Sequence, residues 1–484
     1  MSVFQSPILW IVVVVVAVTA IFLFIKYRNH SARGGFVDYL KDPEDQEDSV
    51  ESREREEAAV KAAQDWDDGK VASMTRRFVI EAKSTHEVSD QIGILRSLGE
   101  RTHPAVLNLL RDASLYDRLV KPDGQAMMAE SPFNRACTLL GDSPGDESVE
   151  ALAPFLSDPS PEIRRDASFA IAKTGSVTIA PLVRKAFSDP DEYVRSYALM
   201  GLGFAMDRSG LADTLRSELF PDVMHLLRAD QDDDDAPDLL YRFDSVQATD
   251  YFLSPEVFTV ESPILDQVLK VLAKRKVPVP RDRLQSLISG LEMGKLNHPK
   301  NYSLGEALRL LGQLQREEDR VFLQSRLTHP DERVAKGAAE GLLCSLGLEG
   351  LAERIWDAKK QSGHESLSEN QRLYRAVFLC DDEINNGGLA QFFANSSGDL
   401  WRDALAGFKA MGFEERLAIL TEAIAIFGSN GPSGDQRVRK DQLSRLMRRD
   451  DDLFDALDSR YYKSSEVIQV FASRFVLGNP EAFR

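Results

Sequence analysis

The sequence predicts an all-α chain: one N-terminal transmembrane helix, a solenoid of short helical repeats and a small C-terminal helical domain. Three observations carry this reading. The run from Ile8 to Ile25 is eighteen residues without a charge. Ser157-Asp158-Pro159 returns as Ser188-Asp189-Pro190, an offset of 31 residues. Behind Asn385-Asn386-Gly387-Gly388, the residues Leu389, Phe392 and Phe393 fall at i, i+3 and i+4, one apolar face of a helix.

A chain of 484 residues is expected to form two or three units, and 43% hydrophobic residues suffice for their cores. The net charge of −18 argues against direct binding to nucleic acid, whose phosphates call for Lys and Arg. It argues equally against a soluble region held on anionic lipid. Cys137, Cys344 and Cys380 are far apart and odd in number, with neither metal nor redox spacing, so the soluble part is expected to be reduced and cytosolic.

Taken in order, residues 1–7 are a short extracytoplasmic N-terminus and 8–25 the anchor. Eighteen residues give about 27 Å of helix, enough for a hydrocarbon core with its flanks. Trp10 and Tyr27 sit where interfacial aromatics belong. A cleaved signal peptide is the rival, but no basic residue precedes the run and no small-residue cleavage site follows it. Lys26, Arg28 and Arg33 follow directly, which places the bulk of the chain on the cytoplasmic face, of a bacterial inner membrane. Residues 26–70 are this basic flank and an acidic linker. Between Asp38 and Glu57 ten acidic residues face three basic ones with few large apolar side chains, so the segment reads as a solvated spacer or a binding tail.

Residues 71–360 read as helices joined by short turns. After Pro159 come Ile163, Arg164, Ala167 and Ala170; after Pro190 come Val194, Arg195, Ala198 and Gly201. A third copy opens at His329-Pro330-Asp331. Asp158 and Asp189 are expected to cap the second helix of each pair, with Pro159 and Pro190 in its first turn. The small residues let neighbouring helices approach. This pattern resembles HEAT-like repeats of about 30 residues, whose helix pairs stack into a solenoid with a concave face. The resemblance gives Arg164 and Arg195 a structural role, reaching neighbouring turns or the Asp of an adjacent repeat. Asp232 to Asp235 lack the alternation and glycine turn of a calcium loop and read as a solvated interruption. The stretch from there to Ser262 reads as an aromatic loop. Residues 361–369 read as a hinge.

Residues 370–484 open on the least generic stretch of the chain, Glu383 to Gly398. It reads as helix, Asn-Gly turn, short amphipathic helix and a stop at Gly398. Glu383, Asn385 to Gly388, Gln391, Phe392-Phe393 and Asn395 to Gly398 resemble the DNA mimic protein family. The likeness runs through Ala404-Leu405, Gly412, Phe427, Gly431-Pro432 and Leu453 to Tyr462, over roughly Glu365 to Arg484. It implies a small helical domain and an interaction surface. Candidate partner-binding residues are Asn385, Asn386, Gly387, Gly388, Gln391, Phe392, Asn395 and Ser396. Their amides offer donors and acceptors around a pocket edged by Phe392 or Phe393. The alternative is that the amides only cap helices while both Phe are core.

No catalytic, cofactor-binding or metal-ligating set emerges. None of the seven histidines has metal spacing, and no Walker loop, Gly-x-Ser-x-Gly or dinucleotide fingerprint occurs. The expected function is therefore a membrane-anchored, non-enzymatic protein–protein interaction scaffold or adaptor with protein partners. A DNA mimic that sequesters a DNA-binding regulator is an alternative. Residues 365–484 hold 19 acidic and 15 basic side chains, a modest excess for phosphate imitation. A third is a subunit or maturation factor of an enzyme, since short HEAT-like repeats are also similar to those of bilin lyases.

Overall fold

The computed structural model describes residues 57–483, apart from 83–84, 121–130, 143–144, 209 and 230–234. All regular structure among them is helical. The chain divides into two units, one reaching Leu314 and one from Gln315 onward. The first holds α1 (Asp68–Arg76), α2 (Thr85–Leu98), α3 (His103–Arg111), α4 (Tyr116–Val120), α5 (Pro132–Gly141), α6 (Asp146–Leu152), α7 (Pro161–Thr174) and α8 (Ala180–Phe187). It continues through α9 (Glu192–Arg208), α10 (Asp213–Ala229), α11 (Asp235–Phe243), α12 (Ser245–Phe252), α13 (Leu265–Lys274), α14 (Arg281–Met293) and α15 (Lys300–Gln313). The second holds α16 (Glu317–Arg326), α17 (Glu332–Ser345), α18 (Leu351–Ser362), α19 (Glu369–Ala394), α20 (Trp401–Met411), α21 (Glu415–Ala425), α22 (Gln436–Met447), α23 (Asp455–Tyr462) and α24 (Ile468–Gly478).

The membrane anchor is a correction. Among the described residues no helix is long and apolar enough to cross a membrane. The run 8–25 lies outside the described residues, as does most of the acidic linker, so neither the single-pass architecture nor the placement at a membrane face stands.

The repeats build two layers in the first unit. Helices α5, α7, α9 and α11 pack in succession, and α8 packs across α7 and α9 with α10 beyond it. The small residues sit at the crossings: Ala167, Ala170 and Ala198 are fully buried. A Cβ on Gly201 would stand 2.5 Å from the Phe169 carbonyl oxygen and 2.8 Å from Ala172 Cβ. Only glycine permits that approach.

The caps differ from expectation by two residues. Ser160, not Asp158, is the N-cap of α7, its hydroxyl accepting from Ile163 N at 3.4 Å. Asp191, not Asp189, accepts from Tyr193 N and Val194 N. Asp158 and Asp189 each accept from the backbone N–H of the capping residue, at 2.9 and 3.0 Å. In the third copy His329 Nδ1 takes that part for Asp331, which caps α17. Pro159 and Pro190 therefore precede the cap, and the first-turn proline of α7 is Pro161. An Asx turn closes on the N–H two residues on, so Pro159 and Pro190, which have no N–H, fit its middle position, and the helix starts after Ser160 and Asp191.

Arg164 makes a two-pronged ion pair with Asp189 of the next repeat, Nε to Oδ2 at 2.7 Å and Nη2 to Oδ1 at 3.0 Å. Arg195 Nη1 donates to the Asp189 and Pro190 carbonyls of its own turn. Burial raises the Asp189 carboxyl, but the Arg164 and Asp191 hydrogen bonds outweigh it and hold its pKa below the ordinary 3.8.

The stretch after the Asp run is the expected loop only over residues 253–262, and its first part is helical. Residues 230–234 lie outside the described residues, but Asp235 opens α11, whose Leu239, Leu240 and Phe243 face inward. Asp244 then caps α12 through Val246 N and Gln247 N. The apolar spacing of this segment is helical, and its aromatic content masks it.

In the second unit α16 and α17, the third repeat copy, pack together, and α17 lies on α24. The contacts thus group the third repeat copy with the C-terminal helices, dividing the chain at Leu314/Gln315. Ser368 closes a capping box with Gln371 to start α19. The core beneath α19 is aromatic, with Phe393 against Phe427 at 4.8 Å and Phe413 stacked on Phe471 at 4.4 Å.

Candidate functional site

Helix α19 carries the Glu383 to Asn395 signature and breaks in the middle of it. Gly387 (φ −156°, ψ 21°) and Gly388 (φ 79°, ψ −179°) leave the helical region and split α19 into two segments. A break orphans carbonyls on one side and N–H groups on the other. Both are satisfied from α23. Tyr462 Oη donates to the Ile384 carbonyl at 2.8 Å, and Asp458 Oδ1 accepts from Leu389 N at 2.9 Å. The carboxylate comes so close that a Cβ on Gly388 would meet Asp458 Oδ2 at 2.5 Å. Gly388 is thus required twice, for its positive φ and for the space.

Glu383 gathers the polar residues beyond the break. Its Oε2 accepts from Gln391 Nε2 at 2.8 Å and from Asn395 Nδ2 at 2.9 Å, and its Oε1 accepts from Ser397 Oγ at 3.0 Å. This carboxylate ties the first segment of α19 to the end of the second. It also fixes Gln391 where a Cβ on Gly387 would collide with Gln391 Oε1, at 1.9 Å.

The far end of α19 is held by Arg439, a fully buried residue on α22. Its Nε donates to the Phe393 carbonyl, Nη1 to the Ser433 carbonyl, and Nη2 to both the Asn395 carbonyl and Asp399 Oδ1, all within 2.7–2.9 Å. Gly398 lies in a 3-10 turn rather than serving as the helix stop, which is Asn395. Its Cβ would stand 2.6 Å from the Phe392 carbonyl oxygen and 2.8 Å from Arg439 Nε. The Asn-Ser-Ser-Gly sequence therefore makes room for a buried guanidinium.

The acidic cluster beside the bend disperses. Asp381 takes Arg416 Nη1 at 2.7 Å and Tyr461 Oη at 2.9 Å. Glu383 is occupied as described. Asp382 alone points outward, and burial together with the Asp381 and Glu383 charges raises its pKa.

The candidate residues thus separate into two groups. Gln391 and Asn395 are bonded internally, Gly388 is buried, and Phe392 and Phe393 are fully buried core, so neither Phe edges a pocket. Asn385, Asn386, Gly387 and Ser396 are exposed. The repeat residues Asp158, Pro159, Arg164, Asp189, Pro190 and Arg195 form turns and ladders within the first unit. Asp458, Tyr462 and Arg439 escaped the sequence reading. They lie up to 78 residues from their partners; Asp458 and Tyr462 fall in the Leu453 to Tyr462 stretch of the family likeness, which did not say what they bond.

These features define a helical-repeat protein ending in a small all-α domain whose signature residues hold a broken helix. Residues 365–479 match the family model of the DMP19-like protein. Residues 134–203 and 149–235 match the model of HEAT repeats. The chain thus carries a DMP19-like domain preceded by HEAT repeats. No curated protein matches the chain.

Proposed function

We propose that this chain is a non-enzymatic protein-interaction scaffold in which the repeats are the frame and the α19 bend is a recognition corner. The observation that carries the reading is the division within the signature. Glu383, Gln391, Asn395 and Ser397 are consumed in holding the bend. Asn385 and Asn386 stand exposed on it, their side chains making no hydrogen bond among the described residues. An amide offers both donors and an acceptor, which suits a peptide backbone or polar side chains. A rigid bend holds those amides without a further ordering cost. The match to HEAT repeats supports protein binding in general.

The test places a photo-crosslinking residue at position 386 and, as a control, at Val438, which is also exposed. A discrete protein adduct at 386 alone is the expected result. The same adducts at both positions, or none at 386, contradict it.

DNA imitation is the second reading, favoured by the DMP19-like match at 365–479. The geometry weighs against an acidic array at the bend, since Asp381 and Glu383 face inward to Arg416, Tyr461 and the amides. A regulator released from its operator by the purified chain would favour imitation over the corner.

A further inference from the structure

A groove of about 410 Å³ runs between α18 and α19 in the second unit. That is within the roughly 300–1,000 Å³ of ordinary ligand clefts. Its floor is apolar: Ile355, Tyr374, Phe378 and Leu379. Trp356 stands at its edge with 47% of its surface exposed, an unusual position for the largest side chain.

The charges around it are unpaired. Glu353 and Asp357 from α18 and Asp382 from α19 line the rim, and none makes an ion pair among the described residues. Arg375 lies over the Trp356 ring at 5.2 Å, and its buried Nε has no hydrogen-bond partner. Burial lowers the guanidinium pKa. A shielded cationic donor left unbonded is costly, so an acceptor there would be favoured.

We propose that this groove receives a basic amphipathic helix from a protein partner. The three carboxylates of the rim outnumber the two cations over the Trp356 ring, Arg375 and Lys359, and select Lys and Arg on the flanks of the incoming helix. The floor and Trp356 take one or two large apolar side chains. Arg375 donates to the free carbonyls at the helix C-terminus, where a cation is also favoured by the helix dipole. Tyr374 to Asp382 spans about 12 Å of α19 at 1.5 Å per residue, which fits a little over two turns of the partner. The surface is separate from Asn385 and Asn386, so its failure leaves the corner untouched.

The probe is a fluorescent 16-residue helical peptide with a Leu/Phe face and Lys flanks, titrated into the full chain and read by anisotropy. A matched peptide with Glu flanks serves as comparison. The Lys peptide should bind at least tenfold more tightly than the Glu peptide, and more weakly as salt rises. Two variants separate the groove from the overall negative charge. Trp356→Ala, which leaves charge unaltered, and Glu353→Gln/Asp357→Asn/Asp382→Asn should each weaken binding at least tenfold while melting as wild type. No binding of the Lys peptide, equal affinity for both peptides, or unchanged affinity in Trp356→Ala would overturn the proposal. So would a concentration-dependent dimer of the chain that Trp356→Ala dissolves, since the groove's occupant would then be a second copy.

Discussion

Single residues at the α19 bend do work that their type alone does not announce. Gly388→Ala forces a side chain into φ 79° and against Asp458, and should cost about 1–3 kcal/mol in urea denaturation. Arg439→Met strands the Phe393, Asn395 and Ser433 carbonyls, and should cost at least about 1–3 kcal/mol. A loss below 1 kcal/mol for Arg439→Met would mean the guanidinium is not the lock on the helix end. The Asn-Gly break was legible in the sequence because Asn and Gly carry their own backbone preference. Arg439 was not, because a buried guanidinium looks like any other member of a basic stretch until the carbonyls it meets are known.

At the scale of the helix, each repeat turn divides its labour between two polar residues. Ser160→Ala removes the true cap and should cost about 1 kcal/mol. Gly201→Leu overpacks α9 against α7 and should cost about 1–3 kcal/mol. Asp189 adds a pH dependence with a definite sign. Its folded pKa is depressed, so its contribution is present above the unfolded value of about 4 and is lost as pH falls through the lower folded value. Asp189→Asn should therefore be less stable at neutral pH, with a flatter acid limb of the stability curve. A wild-type acid limb in that variant would contradict the ion pair. Periodicity and the 31-residue offset revealed the repeats, since spacing is a local property. The capping residue was misplaced by two because Asp and Ser are both good caps, and only the geometry after the proline chooses between them.

For the whole molecule, the boundary at Leu314/Gln315 carries a prediction of its own. Helix α17 packs on α24, and Arg474 Nη2 donates to the Leu327 carbonyl. A fragment of residues 315–484 should unfold cooperatively and exceed a fragment of 365–484 in stability by about 2 kcal/mol, the burial of one large apolar side chain. Equal stability would mean that the third repeat copy adds nothing to the C-terminal domain. The hinge at 361–369 was legible because Ser, Gly and charge gather at a turn. The packing of α17 on α24 was not, because composition does not record which helices share a core.

The most direct measurement compares melting and partner capture for Asn385→Ala, Asn386→Ala, Gln391→Ala and Asn395→Ala, using the protein crosslinked at position 386 as the partner. Gln391→Ala and Asn395→Ala each remove one of the three donors to Glu383, so melting falls and capture falls only with it. Asn385→Ala and Asn386→Ala should melt as wild type, and at least one should lose capture by tenfold or more. Wild-type capture in both, or losses of stability and capture in step across all four, would contradict the recognition corner and leave the signature as scaffold.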